Sequence, residues 1–397
     1  MKPISLSHYT ATSCIGTGLS ATRAALAGGR GGLTPCAFET VDLDTWIGEV
    51  PDVDAVALPA DLRHFDCRNN RLAWLGLQQD GFFDAIRLAA QAHGEQRVGV
   101  FLGTSTSGIL DTELAYRERD AHSGKLPLSY NYRGSHNVFS VAEFVRTAAG
   151  LHGPAFVVSS ACSSSAKVFA AAARMLQVGL IDAAVVGGVD SLCLTTLYGF
   201  NSLELTAPEA CRPFDVARKG ISIGEAAAFG LLSRTPLAGG GPVRLLGYGE
   251  SSDAHHMSSP HPEGRGARQA MAGALERAGL SADQIDYINL HGTGTPSNDA
   301  AEGKAVEALF GDRVAASSTK GATGHTLGAA GGLEAVICAL ALTDGLVPAN
   351  VGLDRPDPGI HIRLQHQVEH RSVHHVLSNS FGFGGTNASL VFGQEVA

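Results

Sequence analysis

Val157-Val158-Ser159-Ser160-Ala161-Cys162-Ser163-Ser164-Ser165-Ala166 is the stretch on which the reading of this chain turns. The stretch over 155–161, led by Ala155-Phe-Val-Val158, runs into a block of serines and then an alanine-rich stretch that continues to about Val178. That pattern is a buried strand feeding directly into a helix, with a cysteine at the junction. The first amides of a helix lack intrahelical partners, and the positive end of its dipole lies there. Both favour a thiolate, so the position predicts a lowered thiol pKa. The same amides suit a developing oxyanion. A small cysteine filling a core gap is the competing reading, and this segment alone leaves both open.

Working outward, a second strand is predicted over 183–187, a short strand over 314–318 and a small-residue helix over 328–342. The turn and alternating run beginning Gly220-Ile-Ser-Ile-Gly-Glu-Ala-Ala-Ala-Phe is echoed by Phe381-Gly-Phe-Gly-Gly-Thr-Asn-Ala-Ser-Leu-Val-Phe. Two related α/β halves follow, 1–241 and 242–397, joined near Gly239-Gly240-Gly241-Pro242. Ala166, Ala170, Ala171, Ala172 and Ala173 leave little bulk on the first helix, with Lys167 and Arg174 its only charges over 162–178. Such helices pack closely on several faces, as a central layer between sheets requires.

Two more segments carry chemistry. In Ile288-Asn-Leu-His291-Gly-Thr293-Gly-Thr295-Pro-Ser-Asn-Asp299-Ala-Ala-Glu302, an apolar strand ends at a histidine, followed by glycines and hydroxyls. Catalytic groups in α/β folds stand at such carboxyl ends, although a lone histidine there also reads as a satisfied turn residue. In Ser317-Ser-Thr-Lys320-Gly-Ala-Thr-Gly324-His325-Thr-Leu-Gly328, a lysine and a histidine sit among residues small enough to admit both to one cavity. A lysine so placed needs an anionic partner or a shifted pKa; Glu302 is the nearest candidate.

With the closing Asn379-Ser-Phe381-Gly-Phe383-Gly-Gly-Thr-Asn387, these segments resemble, in order and spacing, the motifs of the β-ketoacyl-acyl carrier protein synthase I/II group of the thiolase superfamily. The likeness covers essentially the whole chain. It implies an α/β, thiolase-like, duplicated five-layer αβαβα fold and a decarboxylative Claisen condensation. By resemblance Cys162 takes the acyl chain, His291 and His325 hold the malonyl thioester oxygen, and Lys320, paired with Glu302, orients His325. The amides of Cys162 and Phe383 would form the oxyanion hole. Thr293 and Thr295 would bind the pantetheine arm, with Phe229, Phe381, Phe383 and Thr106 at the acyl channel. Acyl carrier protein is the implied partner, docking on Arg63, Arg68, Arg71 and Lys125. No permanently bound cofactor or metal is implied, and the assembly is a homodimer or a heterodimer with a related subunit. The segments 103–108 and 192–200 depart from the housekeeping pattern, which leaves open a secondary-pathway ketosynthase of polyene or polyketide assembly paired with a chain-length factor.

The remaining composition narrows the field. A net charge of −9 without a Lys/Arg block excludes the clustered cations that nucleic acid or anionic membrane requires. Seven scattered cysteines, none in C-x-x-C, imply neither a disulfide framework nor a zinc ribbon. No apolar run approaches the ~20 residues of a membrane span, and Met1-Lys2-Pro3-Ile4-Ser5 lacks the apolar core of an export signal; a soluble, cytoplasmic protein is expected. Gly220-Ile-Ser222-Ile-Gly224 spells a hydrolase elbow but is followed by strand-like rather than helical sequence. His366, His370 and His374 share a helical spacing, yet Ile362, Leu364, Val368 and Val376 suit extended structure, so solvated histidines are expected. A thiolase would carry a late catalytic cysteine, and Cys338 falls inside a helix; a silent chain-length factor would lack Cys162.

Overall fold

Apolar runs broken by glycine turns become alternating strands and helices in the computed structural model, which describes residues 1–394. The principal elements of the first half are β1 (Ile4–Ser13), α1 (Arg68–Leu77), α2 (Phe82–His93), β2 (Val98–Gly103), α3 (Ser140–Ala148), β3 (Ala155–Val158), α4 (Ser164–Gln177), β4 (Ala183–Asp190), α5 (Leu194–Ser202) and β5 (Ala226–Ser233). Those of the second are β6 (Val243–Ser252), α6 (Arg265–Ala278), β7 (Tyr287–Asn289), α7 (Pro296–Phe310), β8 (Ala315–Ser317), α8 (Ala330–Asp344), β9 (His375–Gly382) and β10 (Thr386–Gln394).

The strands follow the order β8-β7-β9-β10-β6-β1-β5-β4-β2-β3. Outward from the centre, β1 pairs β5 antiparallel, β5 pairs β4 antiparallel, and β4-β2-β3 run parallel. The other side repeats this sequence of senses: β6 with β10 and β10 with β9 antiparallel, then β9-β7-β8 parallel. The two five-stranded halves meet where Ile4 lies opposite Leu245. The echo in the sequence is therefore topological, since β5 and β10 occupy equivalent places. The repeat changes over between Ser233 and Val243.

Alanine and glycine set the layer spacing. Helix α4 packs on β2 and β4, and α8 packs on β4, β5, β9 and α4, so both lie inside the molecule. Residues 330–342 of α8 are all buried, each of Leu333, Ile337 and Leu340 contributing about 1.5–3 kcal/mol of burial. The segment Leu327–Asp344 is apolar enough to cross a membrane by composition, but 89% of it is buried inside the protein. A Cβ on Gly331 would lie 2.6 Å from the Ala166 amide, so only glycine lets α8 approach the start of α4 this closely. Helices α1, α2 and α3 cover the outer side of the first half, and α6 with α7 covers the second.

Strand β3 ends at Val158, not at 161. The Ser160 N–H donates to Ser164 Oγ at 2.9 Å, and Ala161 turns into the left-handed region at φ 52°, which stops the ladder. Strand β4 runs past 187 to Asp190. Ser222 is followed by strand, so no hydrolase elbow forms. His366, His370 and His374 are exposed on extended or irregular backbone, and every cysteine is free.

Candidate active site

Cys162 stands two residues before α4, behind the left-handed Ala161. That turn aims Sγ away from the helix and toward the second half, where His325 Nε2 lies 2.9 Å away. The thiol is buried, at 6% exposure for the residue. Burial pushes its pKa up to about 11, opposed by the Lys320 charge and the Phe383 N–H. The lowered pKa expected from the helix start is therefore overturned: loss of hydration outweighs the amides and the dipole.

His291 lies beyond the end of β7. Glu302 fixes the turn, accepting hydrogen bonds from the His291 and Gly292 amides at 2.8 and 2.7 Å and from Asn379 Nδ2 at 3.1 Å. Burial raises the Glu302 carboxyl to about 7. Lys320 does not pair with Glu302. Its ammonium pairs with Glu334 on α8, donates to the His291 carbonyl at 2.6 Å and lies 3.4 Å from His291 Nδ1. The reason is geometric: Glu302 faces the loop amides, whereas Glu334 projects from the central helix behind His291. Lys320 thus addresses His291 rather than His325. An ammonium has no lone pair to offer, so Nδ1 must accept and the proton of a neutral His291 sits on Nε2.

His325 is carried on a turn pinned to the Gly220–Gly224 segment, its N–H donating to Ser222 O at 2.7 Å while Gly224 N donates to its carbonyl at 3.0 Å. Its Nδ1 is buried without a hydrogen-bond partner among the described residues. The two imidazoles meet edge to face with centroids 5.3 Å apart. Burial, then the Lys320 charge, holds both well below the ordinary histidine value of 6.5, and His325 lowers His291 further. A lowered pKa keeps the neutral ring at more acid pH. The acidic limb of kcat for condensation is accordingly expected below pH 6.5, with a plateau down to that value. A pH–rate series in a constant-ionic-strength buffer checks this, and a limb at or above 6.5 would contradict it.

The donor atoms of Cys162, His291 and His325 all lie within 4.8 Å of one another. The nearby Lys320 ammonium opposes a divalent cation there, whereas it favours a developing oxyanion. They open onto a cleft between the two halves. Thr293 and Thr295 line it, their hydroxyls 2.9 Å apart, as do Phe381 and Phe383. The Phe383 ring lies 5.5 Å from that of Phe200 on α5, another lining residue. Gly382, next to Phe383, brings the closing turn against the Cys162 amide: a Cβ there would be 3.1 Å from it.

Other predicted residues lie elsewhere. Phe229 on β5 faces the outer layer and stacks on Phe82, because strand alternation sends it away from the cavity. Thr106 is buried with its hydroxyl on Asp190, 2.9 Å away, and does not line the cavity. Arg68 is no docking residue, being 3% exposed and bound to Glu225, Asp54 and Glu49. Arg71 is held by both oxygens of Asp66. Arg63 and Lys125 are exposed, and neither lines the cavity. Sequence reasoning missed Glu334 and Asn379. A lone acid inside the apolar run Gly331-Gly-Leu-Glu334-Ala-Val-Ile was the available signal, since a buried carboxylate demands a partner.

This geometry can hold a sulfur nucleophile, a base beside it and a fixed donor for an oxyanion. The beta-ketoacyl synthase N-terminal domain family matches residues 73–238 and the C-terminal domain family residues 243–354. The chain is similar to the 3-oxoacyl-[acyl-carrier-protein] synthase 2 of Vibrio cholerae, 35% identical over 75% of each chain, and to that of Coxiella burnetii, 33% identical over 96% of this chain and 95% of the other. Among solved structures it resembles the ketosynthase ApeO in complex with its chain length factor ApeC from Xenorhabdus doucetiae, with TM-score 0.87, 37% identity, and coverage of 99% of this chain and 98% of that one.

Proposed function

The chain belongs to the beta-ketoacyl synthase family and is a condensing acyltransferase, and from that premise we propose how its residues divide the reaction and what it works with. Acyl transfer comes first. Cys162 Sγ attacks the carrier-bound thioester, its proton passing through His325 Nε2 to the departing pantetheine thiol. The Cys162 and Phe383 amides hold the tetrahedral oxyanion. Malonyl-carrier protein then loses CO2, and the enolate oxygen is held by the Nε2–H of His291. Its carbon attacks the Cys162 thioester, and the thiolate leaves to give the β-ketoacyl product.

The observation that carries this reading is Sγ 2.9 Å from His325 Nε2, with Lys320 behind His291 at 3.4 Å from Nδ1. It makes His291 a locked donor. His325, with no partner on Nδ1 among the described residues, is free to place its proton on either nitrogen, serving as base first and as second donor afterwards. Thr293 and Thr295 bind the pantetheine arm, and Arg63 and Lys125 remain for carrier docking. Seven free thiols favour a reducing, cytoplasmic setting.

For the assembly, a chain-length-factor-like subunit is favoured by the likeness to one such complex at 37% identity. Cys162 makes this chain the catalytic member. The partner would extend the sheet at β3, one of its two edge strands, whose four residues Ala155–Val158 are all half-buried rather than buried. The test is mass spectrometry of products from malonyl-carrier protein and a panel of acyl-carrier proteins, with and without such a subunit. A β-ketoacyl chain longer by two carbons, produced faster with the subunit, is expected. Full turnover by the chain alone supports a homodimer instead, and carbon–carbon bond formation with no acyl-Cys162 would overturn the mechanism.

A further inference from the structure

Three turns meet behind the reacting sulfur, and each contains a non-glycine residue in left-handed backbone: Ser107 at φ 45°, Ala161 at 52° and Leu327 at 51°. Such a residue is strained and persists only where its surroundings over-determine it. What surrounds them is one carboxylate. Asp190, the last residue of β4, is fully buried and does not line the cavity. Its Oδ1 accepts hydrogen bonds from Thr104 Oγ1 at 2.6 Å, Ser105 N at 2.7 Å, and Thr106 N and Oγ1, both at 2.9 Å. Its Oδ2 accepts from Gly328 N at 2.5 Å, three residues beyond His325. The node reaches the nucleophile as well, since Ser105 Oγ donates to Ala161 O at 3.4 Å. Gly328 permits the approach: a Cβ there would stand 2.8 Å from Oδ2 and 2.7 Å from Ser105 Oγ.

We propose that Asp190 is a positioning residue of the condensation, its carboxylate tying the 104–107 turn and the His325 turn to the end of β4 so that His325 Nε2 stays within hydrogen-bonding range of Cys162 Sγ. This rests on the reading of Cys162 and His325 as the reacting pair. All five groups on Asp190 are donors, and only a carboxylate accepts on both oxygens. Asparagine satisfies one turn at the expense of the other: with Oδ1 toward 104–106, its amide N–H faces the Gly328 N–H. The loosened partner is then the turn carrying His325. The carboxylate charge also helps to hold the Cys162 thiol up, so its removal has an electrostatic signature that loss of packing lacks.

The experiment compares wild type, Asp190→Asn, Gly328→Ala and Thr106→Val. Condensation kcat and KM, thermal midpoint, and the pH profile of Cys162 alkylation by iodoacetamide are measured for each. In Asp190→Asn, kcat is expected to fall about tenfold to a hundredfold, the cost of misplacing a reacting group by roughly 1 Å. KM for the acyl carrier should stay within about threefold, and alkylation should shift to lower pH. Gly328→Ala, which crowds the carboxylate from the His325 side and leaves its charge, should lower kcat without that pH shift, and it stands in if Asp190→Asn does not fold. Thr106→Val, which keeps the Gly328 link, should retain most of kcat. Wild-type kcat in Asp190→Asn, an equal loss in Thr106→Val, or a loss that merely follows the thermal midpoint would overturn the assignment. A wild-type enzyme never acylated at Cys162 overturns the parent reading and this one with it, and mass-shift labelling of Cys162 tells the two failures apart.

Discussion

Cys162→Ala is expected to abolish condensation while leaving decarboxylation of malonyl-carrier protein measurable. In the proposed mechanism both steps of carbon–carbon bond formation pass through the sulfur: it accepts the acyl chain and later leaves. Loss of an enzyme's nucleophile costs on the order of 10⁴–10⁶ in kcat where other groups still bind the transition state. Decarboxylation needs only an oxyanion site, and His291 is held from behind by Lys320, whereas the Sγ hydrogen bond goes to His325. Alanine differs from cysteine by one atom at a residue already 6% exposed, so the fold should tolerate it. Measuring CO2 release and chain elongation on the same preparation separates the roles. If the variant still elongated acyl chains, Cys162 would not be the nucleophile; if it lost CO2 release to the same degree, the claimed independence of the histidine site would fail.

The order of elements was legible in the sequence because strand and helix periods are local. Cys162 at a strand–helix junction, His291 after a strand and His325 in a small-residue loop could each be named before their meeting was known. Their convergence depends on the duplication, which the echo between the Gly220 and Phe381 turns betrayed. What stayed hidden was depth and direction. The Cys162 thiol pKa depends on burial, and no spacing of residues reports how much water reaches a site. The resemblance points to Phe229 at the acyl channel, but strand alternation has two faces, and Phe82 sits on the one it uses. Arg68 resembled a surface cation because its anchor, Glu225, lies 157 residues away. The 103–108 departure points to Thr106 as a pocket residue; the carboxylate that gathers that turn follows a run of small apolar residues and bears no motif.

Lys320→Ala should combine a large loss of stability with a large loss of decarboxylation, and the two are separable. The ammonium is 1% exposed and is the charged partner of Glu334, itself 2% exposed. Breaking such a buried pair from one side costs about 3–5 kcal/mol, because the remaining charge is left without compensation. The sign with pH follows from Glu334. Burial raises its carboxyl to about 7, and Lys320 is the main group that pulls it down, so the variant's carboxyl rises further. A folded pKa above the unfolded one means the folded state binds more protons between the two values, and stability falls as pH climbs through that window. Because the wild-type carboxyl already titrates at about 7, the variant's deficit in urea midpoint should grow from neutral toward alkaline pH. Glu334→Gln in the same chain should recover part of the stability, since it removes the stranded charge. It should not recover decarboxylation, because His291 Nδ1 still lacks the donor that keeps its proton on Nε2, and one lost oxyanion donor costs about 2.7–4 kcal/mol of barrier. Stability restored together with full CO2 release would show that Lys320 serves only the fold, and His291 would then need another source for its tautomer.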